Sequence, residues 1–361
     1  MYGVSTVVIV ILILMISVSL AVLSYMFFSK IFTTLTASGT SSITQTTESM
    51  LALMRIESLS GNKVYVRNIG KSPLTGFSIF VNDKPVNFTS GGGSNPGEVA
   101  ELTLGYCDCT TNNKIKITTA EGAITEKNTG FICYPETVLC LGFDEGTGVA
   151  AYDSSNYKNN GELWYGQTSM CFDGDCPTWT DGIKNGALKI SIYDSVNVSN
   201  TTSILVIPNY LTVSTWIKID GNNTNNAYNF RYILMRYGSS IFRLRNTSTD
   251  PSLQNVLSGV IYDPSGTSLE CIGLTNLDFN RWYFLTMTYS TDDKYLRLYI
   301  DNMLDNECYF GFTAIRASLV SMVGIRIGYF TLPANLNSTI DEFRVLNRSL
   351  TLDEIRMLYR S

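Results

Sequence analysis

The side chains that carry most reaction chemistry are scarce in this sequence, and histidine is absent from it. The 361 residues include 31 acidic side chains, 26 basic side chains, eight cysteines and no histidine. Without an imidazole base, the chain cannot build a Ser-His-Asp or a Cys-His nucleophile. Zinc, haem and non-haem iron sites that need a histidine ligand are excluded as well. The chemistry left open is carboxylate catalysis, calcium binding, an all-cysteine metal site, or binding without catalysis.

The carboxylates do not form the pattern of a glycoside hydrolase. A retaining enzyme needs two carboxyl groups about 5–5.5 Å apart, as a Glu-x-Asp-x-x-Glu strand would supply, and the sequence has no such triplet. Asp144-Glu145 and Asp341-Glu342 are adjacent pairs, whose side chains would point to opposite faces of a strand. We therefore expect a protein without catalytic turnover.

The eight cysteines indicate disulfides rather than a metal site. An even number of cysteines is typical of a chain folded in an oxidising compartment, and the apolar N-terminal segment described below favours that compartment. The alternative is a set of reduced, buried thiols. No pair of C-x-x-C motifs is present, so a four-cysteine zinc site is not expected. The cysteines are Cys107, Cys109, Cys133, Cys140, Cys171, Cys176, Cys271 and Cys308.

The positions of the cysteines suggest partners for most of them. Cys107, Cys109 and Cys133 flank a hairpin-like stretch, KIKITTAEGAITEK. Either Cys107 or Cys109 can meet Cys133, with Cys140 taking the other, and the sequence does not choose between them. A local disulfide is expected between positions 171 and 176, and a long-range one between positions 271 and 308.

Charge and length bound the partners and the number of domains. The net charge of -5 at pH 7 and the pI of about 5.0 argue against an electrostatic nucleic-acid binder, which is normally basic. Only 16% of the residues are charged, below the roughly 25% of a typical protein. A chain of this length is expected to form two or three domains.

The N-terminal residues predict one long apolar helix. Residues 4–29 carry no charged side chain and are long enough to cross a bilayer. A cleavable signal peptide would have basic residues before the apolar run, and here there are none. A plain membrane anchor and a helix that polymerises with copies of itself both fit. The low charge of the Ser/Thr-rich stretch after Lys30 favours polymerisation, with these positions in the helical core: Val7, Ile11, Leu14, Val18, Val22 and Tyr25.

The opening of this helix resembles a known family. Gly3, Ser5 and Thr6, followed by Val7 and Val8, resemble the N-terminus of archaeal type IV pilins and archaellins. The resemblance covers residues 1–54 and implies a filament core assembled from the membrane by an ATPase and a membrane platform. That family's precursors have a short basic leader, which a peptidase removes. No Lys or Arg precedes the helix here, so either Met1 is the mature first residue or the leader is a degenerate Met-Tyr-Gly.

The middle segment, residues 55–136, predicts a small antiparallel sandwich. In KVYVRN and in FSIFV, every second residue would face the same side of a strand, and SGN, GKSP, ND and PG are turn signals around these segments. Strands recur about every ten residues, as in a sandwich. The V-x-V-x-N-x-G strand and the later Pro-Gly turn resemble the immunoglobulin-like domain of archaeal pilins and archaellins.

The C-terminal segment, residues 137–361, predicts a second and larger β domain. LTVSTWIKI alternates apolar residues with polar or aromatic ones, as a strand does, and RWYFLTMTYS and YLRLYIDN would form a hairpin. SLTLDEIRMLYRS is expected to form a helix that Thr351 and Glu354 cap. With LGFDEGTGVAAYDSSNYKNNGELW, GALKIS and STIDEFRVLNRS, these motifs resemble a laminin-G-like or concanavalin A-like jelly roll in their order. The resemblance implies two curved antiparallel sheets, one face of which often binds ligands.

The resemblance to this jelly roll also implies a structural calcium ion. Related domains often hold calcium near the chain opening and the I-D-E strand, and calcium takes oxygen ligands. Asp144, Asp153 and Asp341 match those positions, and Glu145 is a weaker candidate. The alternative is that Asp153 and Asp341 cap turns by accepting hydrogen bonds from backbone amides. No other cofactor is expected.

Seven N-x-Ser/Thr sequences offer acceptors for N-glycosylation. A chain this rich in Asn, Ser and Thr has about six by chance under the same triplet rule, so the number alone is no evidence of glycosylation. The acceptors are Asn87, Asn197, Asn200, Asn222, Asn246, Asn337 and Asn347.

The sequence therefore predicts a long N-terminal α-helix followed by an all-β chain: a helix over residues 1–54, an immunoglobulin-like pilin sandwich over 55–136 and a laminin-G-like jelly roll over 137–361. The expected function is a structural subunit of an archaeal type IV pilus-like extracellular filament that displays a lectin-like domain for adhesion. Its expected partners are its own copies, the membrane before assembly and a glycan or other cell-surface ligand, with no nucleic acid. The alternatives are a monomeric membrane-anchored surface lectin and a minor or tip pilin.

Overall fold

The structure is a computed structural model that describes most of the chain. The residues that it describes are 11, 13–30, 52–109, 113–130, 132–166, 169–171, 176–199, 201, 203, 207–221, 230–245, 254–317, 323–328 and 336–360. The predicted helix position Val7 lies outside these residues.

The apolar N-terminal helix is present as α1 (Ile13–Lys30). It is long and apolar enough to cross a membrane, and none of its residues is buried within the protein. Its large apolar side chains, with that of Ile11 before it, are between 52% and 76% exposed. The hydroxyls of Ser17 and Ser19 each donate a 2.8 Å hydrogen bond to the carbonyl four residues earlier. These two polar groups therefore need no partner outside the helix.

Residues 54–129 form two four-stranded antiparallel sheets. Their strands are β1 (Met54–Ser60), β2 (Lys63–Asn68), β3 (Ser78–Val81), β4 (Lys84–Pro85), β5 (Phe88–Ser90), β6 (Val99–Leu104), β7 (Asn113–Thr118) and β8 (Ile124–Thr129). One sheet has the order β1-β2-β6-β5 and the other β4-β3-β7-β8. We call this part of the chain the first β unit.

Alternating residues of the first β unit build its core. Val64 and Val66 on β2 and Ile115 and Ile117 on β7 are fully buried in one apolar cluster, because successive side chains of a strand point to opposite faces. The Asn82-Asp83 turn joins β3 to β4, and both of its residues have positive φ angles, 50° and 63°. A two-residue hairpin turn needs this conformation, and Asn and Asp tolerate it.

Residues 137–346 form two larger antiparallel sheets. Their strands are β9 (Thr137–Leu141), β10 (Ala150–Ala151), β11 (Gly161–Tyr165), β12 (Ser169–Met170), β13 (Thr178–Asp181), β14 (Gly186–Ile190), β15 (Asp194–Ser199), β16 (Tyr210–Ile219), β17 (Phe230–Arg236), β18 (Ser240–Arg245), β19 (Val256–Tyr262), β20 (Ser268–Ile272), β21 (Trp282–Ser290), β22 (Tyr295–Ile300), β23 (Met303–Tyr309), β24 (Val323–Gly328) and β25 (Ser338–Leu346).

The first of these sheets has eight strands, in the order β13-β14-β25-β16-β21-β22-β23, and β9 also pairs with β25. The second has nine strands, in the order β10-β11-β15-β24-β17-β18-β19-β20, and β12 also pairs with β11.

The two larger sheets enclose one apolar core. Val213 and Ile217 of β16 and Phe242 and Leu244 of β18 are fully buried in it, from opposite sheets. The predicted hairpin is present as β21 and β22, which pair from Leu285 to Ile300. This arrangement is the predicted jelly roll.

The C-terminal helix α2 (Leu352–Arg360) covers the face of the eight-stranded sheet that points away from the core. The predicted capping box forms, since the Thr351 N–H donates to Glu354 Oε2 at 2.8 Å. Trp216 of β16 stacks on Tyr359 with ring centroids 5.3 Å apart. Residues of α2 share an apolar cluster with Tyr134 of the segment before β9, so the helix also packs against the chain that leads out of the first β unit.

Four disulfides join the eight cysteines. The pairing that the sequence left open is Cys107–Cys133 and Cys109–Cys140. The local pair is Cys171–Cys176 and the long-range pair is Cys271–Cys308. Because Cys140 lies on β9, the bond to Cys109 ties the first β unit to the jelly roll. Cys271 and Cys308 lie on β20 and β23, so their bond joins the outermost strands of the two larger sheets.

Replacing both Cys271 and Cys308 by alanine should lower the free energy of unfolding by about 3–4 kcal/mol. The expectation follows from the loop of 37 residues that the bond closes in the unfolded chain. The measurement is the urea midpoint of the full chain, followed by circular dichroism. The matched control removes Cys171–Cys176, which closes only five residues and should cost about 2 kcal/mol. Equal losses from both double variants would contradict the loop-length argument.

Candidate functional site

Two of the predicted calcium residues hold one turn of the jelly roll. Asp341 on β25 accepts hydrogen bonds through Oδ2 from the N–H groups of Ile183 and Lys184, each at 3.0 Å. Asp144, in the loop after β9, accepts one through Oδ1 from the Gly186 N–H at 2.9 Å. Both carboxylates therefore stabilise the connection between β13 and β14.

Asp153 holds a different turn. Its carboxylate accepts hydrogen bonds from the backbone N–H groups of Cys140, Ser155 and Asn159 at 2.7–2.9 Å and from the Ser155 hydroxyl at 2.6 Å. These four donors occupy its oxygens, as the turn-capping alternative predicts. Glu145 accepts one backbone hydrogen bond through Oε1 at 2.6 Å.

Glu342, the residue after Asp341, belongs to a group of ion pairs. The Lys184 ammonium lies 4.0 Å from Asp108 Oδ2 and 3.9 Å from Glu342 Oε2. Glu342 also pairs with Arg344, and both of these side chains are buried. Burial raises the pKa of Asp341 to about 8, because a charged carboxylate loses hydration there.

The structure places Asp144 and Asp341 at one turn and Asp153 at another. Asp341 Oδ1 and Glu145 Oε2 are buried without a hydrogen bond, so each has a free lone pair. Within the described ranges, however, no three Asp, Glu or Cys side chains come together in a way that would hold a metal ion. Lys184 supplies the positive charge between Asp108 and Glu342. Calcium binding at these residues therefore stays a prediction.

The face of the nine-stranded sheet that points away from the core carries polar and aromatic side chains; we call it the outer face. The strand register sets Glu162, Asn197 and Arg326 side by side on β11, β15 and β24. Arg326 Nε donates to Asn197 Oδ1 at 2.8 Å. Trp164 lies on the same side of β11 and donates to Glu162 at 3.3 Å. Asn197 is buried, so Trp164, Glu162 and Arg326 are the side chains here that offer stacking and hydrogen bonding at the surface.

Further across the outer face lies an arginine cluster, which consists of Phe230, Arg243, Arg245, Ser258 and Glu270. One carboxylate serves both arginines: Arg243 Nη2 donates to Glu270 Oε1 at 2.9 Å and Arg245 Nη1 to Oε2 at 3.0 Å. The Ser258 hydroxyl donates to Glu270 Oε1 at 2.5 Å. The guanidinium carbon of Arg243 lies 3.8 Å from the centroid of the Phe230 ring, which fixes its plane.

The charge of Glu270 is stabilised within this cluster. Burial by itself would raise the pKa of its carboxyl group, but the hydrogen bonds from Ser258 and Arg243 outweigh burial and lower the pKa below its usual value. The cluster therefore holds two cations and one anion at neutral pH.

Sequence reasoning missed the arginine cluster. The signal was the FRLR sequence of β18, in which Arg243 and Arg245 stand two residues apart and so share a face of a strand. Glu270 lies on β20, and only the pairing of β18, β19 and β20 brings it near them.

The structure separates the predicted glycosylation acceptors by accessibility. Asn87 and Asn347 are exposed, Asn337 is half-buried and Asn197 is buried beside Arg326. Asn200, Asn222 and Asn246 lie outside the described residues.

Residues 191–356 match the model of the concanavalin A-like lectin/glucanases superfamily. No curated protein matches the sequence. Among solved structures, the binding domain of Paraclostridial mosquitocidal protein 1 is 18% identical, with a TM-score of 0.47, over 62% of this chain and 52% of that one. The botulinum neurotoxin serotype G binding domain is 16% identical, with a TM-score of 0.47, over 62% and 50%.

The chain therefore spans about half the length of these two structures. The family match and the two larger sheets define the class: the C-terminal part of the chain is a lectin-like, concanavalin A-like jelly roll.

The buried Asp341 should make stability fall as pH rises. Between about pH 4 and about pH 8 the folded chain keeps a proton on Asp341 that the unfolded chain has released, so the free energy of unfolding decreases by up to about 1.4 kcal/mol per pH unit. Asp341→Asn has the same shape and cannot titrate, so it should flatten this slope. Urea unfolding in a chelator at several pH values between about pH 5 and about pH 7 measures it.

Asp263→Asn is the control for this pH dependence. The Ser265 hydroxyl lowers the pKa of the exposed Asp263, so that group is ionised in both states throughout the tested range. Its replacement should leave the slope unchanged. An equal slope in the Asp341→Asn variant and the unsubstituted chain would refute the assignment to Asp341.

Proposed function

We propose that this chain is a structural subunit of an extracellular filament of the archaeal type IV pilus kind, in which α1 polymerises and the lectin-like jelly roll is displayed for adhesion. The observation that carries the proposal is the continuous apolar surface of α1. The N-terminal helix and the disulfides are compatible with an extracellular or secreted protein.

An apolar helix with no internal partner requires an apolar environment. Exposure of this much apolar surface to water is unfavourable, at about 25 cal/mol per Å². The predicted core positions Ile11, Leu14, Val18, Val22 and Tyr25 recur every three or four residues, which places them along one stripe of the helix, and all are exposed. We infer that lipid covers this stripe before assembly and that neighbouring copies cover it in the filament.

The first β unit would coat the helical core and the jelly roll would project from it. We propose the divisions at residues 54/55 and 136/137 as domain boundaries and an immunoglobulin-like, pilin-type role for the first unit. The Cys109–Cys140 bond supports this arrangement, because a covalent link between the two units would keep the displayed jelly roll attached under shear.

The jelly roll would bind rather than catalyse. Glu162 on β11 and Glu270 on β20 are carboxylates of the outer face, and six strand spacings separate them, or about 28 Å along the sheet. Hydrolysis of a glycosidic bond needs carboxylates within about 10 Å of each other. The outer face instead supplies aromatic rings and hydrogen-bonding groups, so we propose that it binds a saccharide of a cell surface.

Leu14→Arg should abolish filaments. The substitution places a charge on the stripe that packs among neighbouring helices, where an unpaired charge is strongly unfavourable. Electron microscopy of filaments sheared from cells, with immunoblotting of the sheared and membrane fractions, measures assembly and retention. Ile124→Arg is the matched control, since Ile124 lies exposed on β8 and the same change there should leave filaments intact.

The same experiment distinguishes a filament subunit from the alternative of a monomeric membrane-anchored lectin. An anchored lectin stays in the membrane fraction of cells that carry the unsubstituted chain and is absent from sheared filaments. A minor or tip pilin appears in filaments only in trace. Regular filaments formed by the Leu14→Arg variant would overturn the proposed polymerising role of α1.

A further inference from the structure

We propose that the arginine cluster is the part of the saccharide site that selects an acidic sugar, with Arg243 and Arg245 binding its carboxylate. This inference rests on the proposed function of the jelly roll as a saccharide-binding module. It names the ligand class that the outer face would prefer.

The two guanidinium groups have donors left over. Their described partners are Ser258 and Glu270, which engage Arg243 through Nε and Nη2 and Arg245 through Nη1. Among the described residues, Arg243 Nη1 and Arg245 Nη2 have no hydrogen-bond partner, whereas the unpaired Arg245 Nε is buried away from the surface. Arginine donors in a rigid fork match a carboxylate in geometry. The cluster therefore has unused donors of the kind that recognise a carboxylate.

Charge favours an anionic ligand at this position. The cluster holds two arginines and one glutamate, a local excess of one positive charge in a chain whose net charge is -5. The ion pairs around Glu342 are different: Arg344 and Lys184 pair with Glu342 and Asp108, so two cations meet two anions. Those charges balance, whereas within the described part of the chain the arginine cluster has one carboxylate for its two arginines.

The cluster is also accessible and rigid. The side chains of Arg245 and Glu270 are 20% and 26% exposed, whereas Arg243 is buried with 11% of its side chain exposed, so a ligand on the surface reaches the cluster first at Arg245. Phe230 lies against Arg243 at 3.8 Å and against Arg245 at 5.8 Å. A guanidinium fixed by an aromatic ring loses less conformational entropy when it binds.

The rest of the outer face favours a sugar over a free anion. Trp164 offers an aromatic ring, and Glu162 and Arg326 offer polar groups to sugar hydroxyls. Arg326 and Arg243 lie two strand spacings apart and two residues apart along the strand, or about 12 Å. A ligand that spans them is about as long as two sugar rings, and an inorganic anion is much smaller.

The test is calorimetric titration of the full chain in detergent with three probes: an oligosaccharide that contains glucuronate, the same oligosaccharide with its carboxyl groups reduced to alcohols, and inorganic sulfate. We expect the acidic oligosaccharide to bind, the reduced form to bind about tenfold more weakly or not at all, and sulfate to compete poorly. Increasing salt should weaken the acidic oligosaccharide most.

Three variants test whether the preference for the acidic oligosaccharide depends on the arginine cluster. Arg245→Gln should lower affinity for the acidic oligosaccharide about tenfold and leave the reduced form unaffected. Glu270→Gln removes the competing carboxylate, so it should raise affinity for the acidic form, a gain that misfolding cannot produce. Arg297→Gln is the matched control, because Arg297 on β22 also bridges carboxylates and stacks on a tyrosine but lies on the other sheet.

The possible failures are distinguishable. Equal binding of the acidic and reduced oligosaccharides, unaffected by Arg245→Gln, would overturn the acidic-sugar inference and leave the saccharide-binding function standing. No binding of either oligosaccharide would remove the support for both. Sulfate binding as tight as that of the acidic oligosaccharide would overturn the sugar assignment and leave a simple anion site.

Discussion

Burial of apolar side chains between the eight-stranded and nine-stranded sheets is the constraint on which the rest of the C-terminal structure depends. Each strand that contributes Val213, Phe242 or Leu244 to that core must present its other residues on the opposite face. On the eight-stranded sheet, α2 covers the face that points away from the core, through the contact of Trp216 with Tyr359. The outer face of the nine-stranded sheet carries the remaining polar and aromatic groups, and the proposed binding site consists of what the core leaves there.

The connections around this core decide how the two β units are joined. Apolar contact between α2 and Tyr134 and the Cys109–Cys140 bond act at the same junction. Lys184, Glu342 and Arg344 lie close to it as ion pairs. Buried charges are costly without partners, so these residues restrict the ways in which the units can pack. The proposed display of the jelly roll on a filament would benefit from such a restricted junction.

Much of the fold was predictable from local pattern. Alternation in KVYVRN and LTVSTWIKI predicted β2 and β16, and the capping box at Thr351 predicted the start of α2. The disulfides were predictable from an even cysteine number, although the choice between Cys107 and Cys109 was not. That choice depends on which cysteine the hairpin of β7 and β8 brings opposite Cys133, and local sequence does not encode that distance.

The sequence by itself determined the apolar helix, the strand-rich remainder and the absence of imidazole chemistry, because these follow from residue type and short-range periodicity. Only the tertiary structure decided which polar residues meet. Asp144 and Asp341 meet at the turn between β13 and β14, whereas Asp153 caps a turn of its own. Arg243, Arg245 and Glu270 meet on the outer face. Strand register sets those distances, and register is the product of the whole sheet packing on its core.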